Sequence, residues 1–371
     1  MEFSINRDIF LKSLSHANGI IEKKNTLPIL SNVLIEAKDS KIRITATDLD
    51  IIYSEQIPSQ EIKKEGSTTT SASVLYDILR KLKTNSKVEL ILQNANKLKI
   101  ISDKSKFNLL CIPADNFPLS YEDTDKKAFE VSSHDFLKLL NKSKISISND
   151  ETRHYLNGIY LHKTNLENKS FLTGVATDSH RLSSSSLEIN SNIEFEPIIL
   201  PKKTIFQLIS LLEQNNTNIK ISNTKSKIKF VMECGTLISK VIDGRFPDYS
   251  KVIPRNNDKI LEVKLEEFKN SIERVIAVSS DRKEGLKINI SKDSLQLFVN
   301  NPHSGEGSEN IDAKFNSSDM NISFNSKYLT DIAAQIENEK VIINLKDPGS
   351  PVLIKDLSDK KSFYVVMPMK I

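Results

Sequence analysis

One pattern recurs three times along this chain, and it constrains the architecture more than any single motif does. Phe3-Ser4-Ile5 is followed by Phe10, Phe129-Glu130-Val131 by Phe136, and Leu261-Glu262-Val263 by Phe268. Each time the ring comes seven residues after the opening apolar residue, and a short alternating strand leads into an amphipathic helix. Repetition at this scale decides the fold before local propensity does.

The helix faces follow helical spacing. Phe10, Leu14 and Ala17 share one side of the first helix, and Leu75, Ile78, Leu79 and Leu82 share one side of the second. Phe136, Leu139, Leu140 and Ser143 repeat the first pattern, and Ile205, Leu208, Ile209 and Leu212 the second. A third pair follows, with Phe268, Ile272, Val275 and Ile276, then Leu329, Ile332, Ala333 and Ile336. Alternating segments between the helices predict strands. Two stretches lack apolar periodicity and predict linkers, LSYEDTDKK at 119–127 and the Pro254/Asn256-Asn257 region of 248–259. The expected organisation is α+β, with three tandem domains at 1–120, 128–248 and 259–371. Each is itself a strand–helix–strands unit said twice, so that two helices roof antiparallel sheets. Such domains present sheet edges that can pair with their neighbours, and a symmetric dimer removes the last free edges by closing a ring. Met367-Pro368 is expected where Phe117-Pro118 and Phe246-Pro247 close the earlier domains.

Composition removes several classes of function. No apolar run approaches the roughly 18–20 residues of a membrane span. The start, MEFSINRDIF, carries charges where a signal peptide is apolar, so the expected compartment is the cytoplasm. Cys111 and Cys234 are the only cysteines, too few for a disulfide framework or zinc cluster, and read as buried reduced thiols. The six histidines are scattered without metal-ligand spacing, and no cofactor or metal is expected. No GxGxxG, Walker loop or nucleophile elbow occurs; Gly305-Glu306-Gly307 reads as a turn. A net charge of +4, from 52 basic and 48 acidic residues, is far from a protein that grips phosphates.

Five stretches in order carry a resemblance. They are Thr26-Leu27-Pro28-Ile29-Leu30, Leu156-Asn157-Gly158, Ala176-Thr177-Asp178-Ser179-His180-Arg181-Leu182, Asp243-Gly244-Arg245-Phe246-Pro247-Asp248-Tyr249 and Tyr364-Val365-Val366-Met367-Pro368-Met369. Together with the threefold repeat, they make the whole chain resemble the bacterial DNA polymerase III beta subunits, the β sliding clamps. That resemblance implies a non-enzymatic, head-to-tail homodimeric ring of six like domains, with helices towards a hole that duplex DNA threads. Its implied partners are DNA without sequence preference, a second copy, the replicative polymerase, the clamp loader, and other polymerases and repair proteins carrying a clamp-binding peptide. Processivity then comes from topology, since retention by effective concentration needs no grip on DNA.

The resemblance also implies sites. A cleft for short peptides with apolar anchors falls on Leu156, Thr177, Ser179, His180, Arg181 and Leu182, with Pro247, Lys251 and Val252 from the second linker. Asn325, Tyr328, Val365, Val366, Met367, Pro368 and Met369 complete it, with His180 and Arg181 as orienting rim groups. Methionine and valine suit an adaptable wall. Ser179 stands where relatives usually have Gly, and Lys251 where Arg is usual; Lys283 and the loop at 349–351 depart as well. DNA-facing positions fall on Lys24, Arg80, His154, Tyr155 and Lys203. A weak basic lining is expected from Lys12, His16, Arg80, Lys81, Lys83, Lys138 and Lys142, on faces opposite the apolar stripes, with Asp77, Glu273 and Asp331 interrupting elsewhere. A dimer seam pairs an edge strand around Phe107 and Leu109 with the surface near Ala277 and Val278.

Two rivals remain at this point, the first a phosphoryl or nucleotidyl enzyme with active groups near Asp178–Arg181, which no carboxylate cluster in the sequence encourages. Asp178-Ser179-His180 contains the residue types of a hydrolase triad, but consecutive residues of a hairpin cannot converge on one reacting atom. As turn residues, Asp178 and Ser179 need no chemistry at all. A repeat scaffold that binds peptides without encircling DNA is the other alternative.

Overall fold

The apolar stripes become the buried faces of six helices. The computed structural model describes residues 1–22, 27–119, 127–278 and 285–370. Its helices are α1 (Arg7–Asn18), α2 (Ala72–Lys81), α3 (Ser133–Lys144), α4 (Lys202–Leu212), α5 (Leu265–Val275) and α6 (Ser326–Ala333). Asn6, Ser71 and Asn325 accept from backbone N–H groups in the first turns of α1, α2 and α6, satisfying donors that a helix start leaves unpaired. Phe10, Phe136 and Phe268, the three repeated rings, are all buried.

The chain divides into two units. The first holds Met1–His134, Ile193–Glu196 and Phe206–Val241. Its strands form one antiparallel sheet of 13. The order runs Phe129–Ser132, Asn218–Asn223, Lys227–Met232, Gly235–Lys240, Ile51–Pro58, Lys41–Thr47, Asn32–Lys38 and Gly66–Ser71. It continues through Ser105–Ile112, Lys97–Ser102, Lys87–Asn94, Glu2–Asn6 and Glu61–Lys64. Helices α1 and α2 pack side by side in this unit.

The second unit holds Asp135–Asn192, Pro197–Ile205 and Ile242–Ile371. Its sheet of 12 begins Ile198–Pro201, Gly158–Leu166, Lys169–Thr177, Arg181–Ile189, Ser362–Val366 and Val352–Asp356. It ends Lys340–Leu345, Lys259–Lys264, Gly305–Phe315, Ser294–Asn301, Gly285–Ile290 and Met320–Asn325. Helices α5 and α6 pair over it.

The expected edge-to-edge pairing occurs once in each unit, in the same register. Ile51 lies opposite Ser239 in the first, and Arg181 opposite Val366 in the second. The backbone bond that follows is also repeated: Lys240 N donates to Asp50 O and Met367 N to His180 O, both at 2.8 Å. Met367-Pro368 therefore matches Lys240-Val241 rather than Phe246-Pro247, which corrects the expected equivalence.

Within the sheets, two strands are paired on one side for most of their length. Ser105–Ile112 pairs along its length with Lys97–Ser102 but meets Gly66–Ser71 only at Ile112 and Cys111. Gly305–Phe315 pairs along its length with Ser294–Asn301 but meets Lys259–Lys264 only from Ala313 to Phe315.

Three features depart from the sequence expectation. Residues 51–71, ahead of the Leu75 helix and without helical spacing, contain three strands, and Thr68, Thr69 and Thr70 are buried there. Thr69 and Thr70 hydroxyls donate to Ile112 O and Leu110 O, so these two are satisfied without water. Ser183, Ser184 and Ser185 are buried in the same manner, with Ser185 Oγ accepting from Ser362 at 2.9 Å. His16, expected on a solvated basic face, is buried instead. Its Nδ1 lies 3.0 Å from Glu55 Oε2 and its Nε2 3.2 Å from Gln214 Oε1.

Candidate functional site

The turn after Lys169–Thr177 is built by its own side chains. Thr177 Oγ1 donates to Arg181 O at 2.7 Å and accepts from Ser179 N at 3.1 Å. Asp178 Oδ1 accepts from the N–H groups of His180 and Arg181 at 3.0 and 2.9 Å. Residues 47–51 use the same four bonds: Thr47 Oγ1 with Ile51 O and Leu49 N, Asp48 Oδ1 with Asp50 N and Ile51 N. Ser179 and Leu49 both sit in the left-handed region, at φ 77° and 79°. Asn301 Oδ1 accepts from His303 and Ser304 N–H groups at 2.8 and 3.1 Å, giving the acid's role a third time. The turn is structural, and its recurrence disposes of a triad: Asp178 is occupied by backbone donors.

Below the turn lies an apolar floor. Leu156, Val175, Leu182, Ile199, Phe246, Leu353 and Val365 form one cluster, with Tyr155, Tyr160 and Tyr249 packed against it. Tyr160 stacks on Phe246 at 4.9 Å and on His162 at 4.5 Å, and His162 Nε2 lies 3.0 Å from Tyr249 Oη. Burial pushes the His162 imidazole down to about 4, so this stack is neutral at neutral pH. The tail crosses beside it: Met367 N is held by His180 O, and Met369 N donates to Ser323 O at 2.7 Å.

The geometry brings most of the expected cleft residues together. Leu156, Leu182 and Val365 share the floor, Thr177, Ser179 and His180 form one rim, and Asn325 caps α6 beside Tyr328. Pro247, Lys251 and Val252 follow Phe246 and are exposed, as are Met367 and Met369, while Pro368 is half-buried. Lys251 Nζ stands 3.5 Å from Asp248 Oδ2.

Two residues are placed differently from expectation. Val366 points into the core that contains Val352 and Tyr364, because alternation along Ser362–Val366 sends it to the face opposite Val365. Arg181, expected as a rim group, is buried and already committed. Its Nε is 3.1 Å from Asp178 Oδ2, its Nη1 2.8 Å from Asp331 Oδ2, and its guanidinium lies 4.4 Å above the Tyr328 ring. It ties the turn to α6. Phe246, Arg153 and Asp331 are the members the sequence reading missed; Phe246 lay inside a quoted motif, and Arg153 only three residues before Leu156.

The lining expectation divides. Lys12, Arg80, Lys81 and Lys83 are exposed, Arg80 with Asp77 at 3.2 Å. His154 is exposed beside Tyr155, its Nε2 3.1 Å from Asp243 O, and Lys203 is half-exposed on α4. Lys24 and Lys283 lie outside the described residues. Lys142 contradicts the expectation: it is 2% exposed. Its Nζ sits 2.7 Å from Asp359 Oδ2, 3.2 Å from Glu337 Oε1 and 3.8 Å from Asp356 Oδ2. Lys138 Nζ shares Glu337 at 2.8 Å. Acidic residues that are distant in sequence capture both lysines, which helix periodicity cannot foresee.

Phe107 and Leu109 lie on the open edge of Ser105–Ile112, half-buried on one face, while Leu110 on the other is 85% exposed. Ala277 is exposed and Val278 half-buried after α5, beside the second open edge. A Cβ on Gly307 would come 3.0 Å from Val275 O and 3.5 Å from Val278. Among the described residues no group of acidic, histidine or cysteine side chains could hold a metal, and no helix is long and apolar enough to cross a membrane.

Comparison with known proteins is consistent along the whole chain. Family models of the DNA polymerase III beta subunit match at 1–121 (N-terminal domain), 130–248 (central domain) and 250–370 (C-terminal domain). The beta sliding clamp of Caulobacter vibrioides is 34% identical and that of Escherichia coli K12 30%, each covering 100% of both chains. A crystal structure of a sliding clamp (DNA polymerase III subunit beta) from Bartonella birtlesii, bound to griselimycin, matches with a TM-score of 0.96 and 37% identity over 100% of both chains. A threefold repeat with matching junctions and turns, and relatives that align from end to end, lead to one conclusion: the chain belongs to the DNA polymerase III beta subunit family, the bacterial sliding clamps.

Proposed function

We propose that two copies of this chain close head to tail into a ring around duplex DNA and tether the replicative polymerase and other DNA-processing proteins, without catalysing a reaction. One observation supports the ring most strongly. Both junctions within the chain pair an equivalent strand with its counterpart in the same register, and the two strands left with open edges are the next equivalents in that series. A second copy satisfies both edges at once, and a head-to-tail dimer does so with neither of the two left over. The three domains of 1–120, 128–248 and 259–371 each supply one third of a protomer's arc. The place of action is the cytoplasm, where the replication machinery assembles.

Arg80, His154, Tyr155, Lys203 and Lys24 are assigned to DNA, in loose contact that permits sliding. Partner peptides are assigned to the cleft over Leu156, Leu182, Phe246 and Val365, with Met367 and Met369 as its movable wall. The exposed thioethers of a tail held by two backbone bonds suit that role. Removing residues 367–371, which leaves Val366 in its core, is expected to abolish capture of a peptide with apolar anchors at micromolar concentration. The particle should keep the mass of a dimer. Retained peptide affinity would refute the cleft, and a monomer mass for the intact chain would refute the ring.

A further inference from the structure

Two rims stand over the apolar floor, and a side-chain bridge joins them. Ser179 Oγ accepts from Arg153 Nη1 at 2.7 Å, while Asp150 Oδ2 holds Arg153 Nε at 2.8 Å. Arg153 belongs to the 3-10 segment Glu151–Leu156, whose last residue is part of the floor, and Ser179 stands three residues before Leu182. Leu156, Leu182, Val365 and Phe246 are only 2–8% exposed, so little of the floor is open to an anchoring side chain while the bridge is made.

The bridge is not needed to fold the turn. Residues 47–51 make the same backbone turn with Leu49 in place of Ser179, at nearly the same φ and with no hydroxyl to offer. Counting back three residues from Leu30, the equivalent of Leu156, puts Leu27 where Arg153 stands. The polar pair therefore occurs at the cleft and not at the matching junction of the other unit. Among the described residues Arg153 Nη2 has no hydrogen-bond partner, so the guanidinium can offer two parallel donors to a carboxylate once it leaves the hydroxyl.

We propose that the Arg153–Ser179 hydrogen bond is a latch on the partner cleft, opened by peptides that carry an acidic group beside their apolar anchors. The carboxylate replaces the neutral hydroxyl on Arg153. A bidentate bond between two charged groups is stronger than the single bond to a neutral hydroxyl that it displaces, so exchange favours acidic peptides over neutral ones with the same anchors. Asp150 keeps Arg153 at the rim throughout. This inference rests on the assignment of the cleft to partner peptides.

The test uses the full-length protein and two synthetic peptides that differ only in an Asp or Asn beside the anchors. The intact protein should bind the Asp peptide roughly three- to tenfold more tightly, the scale of one charge-assisted hydrogen bond. Ser179→Ala keeps the turn but removes the acceptor, and should raise affinity for both peptides by a similar factor, mainly through faster association. Ser179→Gly, which also relieves the left-handed backbone, should match it. Arg153→Gln should erase the preference for the Asp peptide. Unchanged affinities in both Ser179 variants would overturn the latch, and a preference that survives Arg153→Gln would overturn the exchange. Removal of 367–371 separates the two levels: if binding survives it, the cleft assignment fails, whereas binding lost there but indifferent to Ser179 defeats the latch alone.

Discussion

Leu109→Asp will leave the protein folded and turn it from a dimer into a monomer at micromolar concentration. Leu109 lies on the open edge of Ser105–Ile112, beyond the two residues paired with Gly66–Ser71, so the change costs little within the chain. The expected seam extends the register of the two internal junctions. Ile51 and Arg181 stand three residues after Asp48 and Asp178 and lie opposite Ser239 and Val366. Ser304 stands three after Asn301, and Leu110 precedes Phe117 by the same interval as Ser239 precedes Phe246. The same register sets Leu110 of one copy opposite Ser304 of the other, Leu109 opposite Gly305 and Phe107 opposite Gly307. With no side chain at Gly307, the Phe107 ring has room to lie against Val278. An unpaired carboxylate buried there costs several kcal/mol. A dimeric ring contains two such seams, so the dissociation constant should rise at least about a thousandfold. Sedimentation velocity with circular dichroism reads both parts; a variant that stays dimeric contradicts this seam.

The second large effect concerns Lys142. Its ammonium sits among Asp359, Glu337 and Asp356, and joins α3 to the segment between Val352–Asp356 and Ser362–Val366. Lys142→Ala leaves the carboxylates together without their cation. Breaking such a buried pair costs about 3–5 kcal/mol, far more than an exposed pair. For a domain-sized unit this lowers the thermal midpoint by roughly 10 °C. Burial pushes the Asp359 carboxyl up, but the hydrogen bond and charge of Lys142 outweigh it and hold it below the ordinary value. A carboxylate with a lowered folded pKa contributes stability above its unfolded pKa and loses it as pH falls through the folded one. The substitution removes that contribution, so the drop in midpoint should be full at neutral pH and shrink as pH falls and the carboxylates protonate in both proteins. Calorimetry between pH 3 and 8 measures both effects, and a midpoint unchanged at neutral pH would show the cluster to be dispensable.

The helices were legible in the sequence because each shows a stripe at helical spacing, and the order of domains was legible because the pattern recurs. The strand at Gly66–Ser71 was not, since Thr68, Thr69 and Thr70 read as polar although all three are buried, the hydroxyls of Thr69 and Thr70 satisfied by neighbouring carbonyls. The serine run at 183–186 was obscured for the same reason. The candidate cleft was expected only through resemblance, and the placement of its residues turned on contacts between positions far apart in sequence. Arg181 is drawn inward by Asp331, 150 residues later, and Lys142 by Asp359, 217 residues later. Spacing alone gives a lysine opposite an apolar stripe to solvent. Whether a carboxylate arrives to bury it is decided by tertiary structure.

The most direct test of a sliding ring is its retention on DNA. Assembled on nicked circular duplex, the protein should remain bound through a high-salt wash and leave when the circle is cut once. A closed ring is held by topology, which salt does not weaken. Loss from intact circles with the linear dependence on log salt expected of counterion release, and no further change on cutting, would contradict the account.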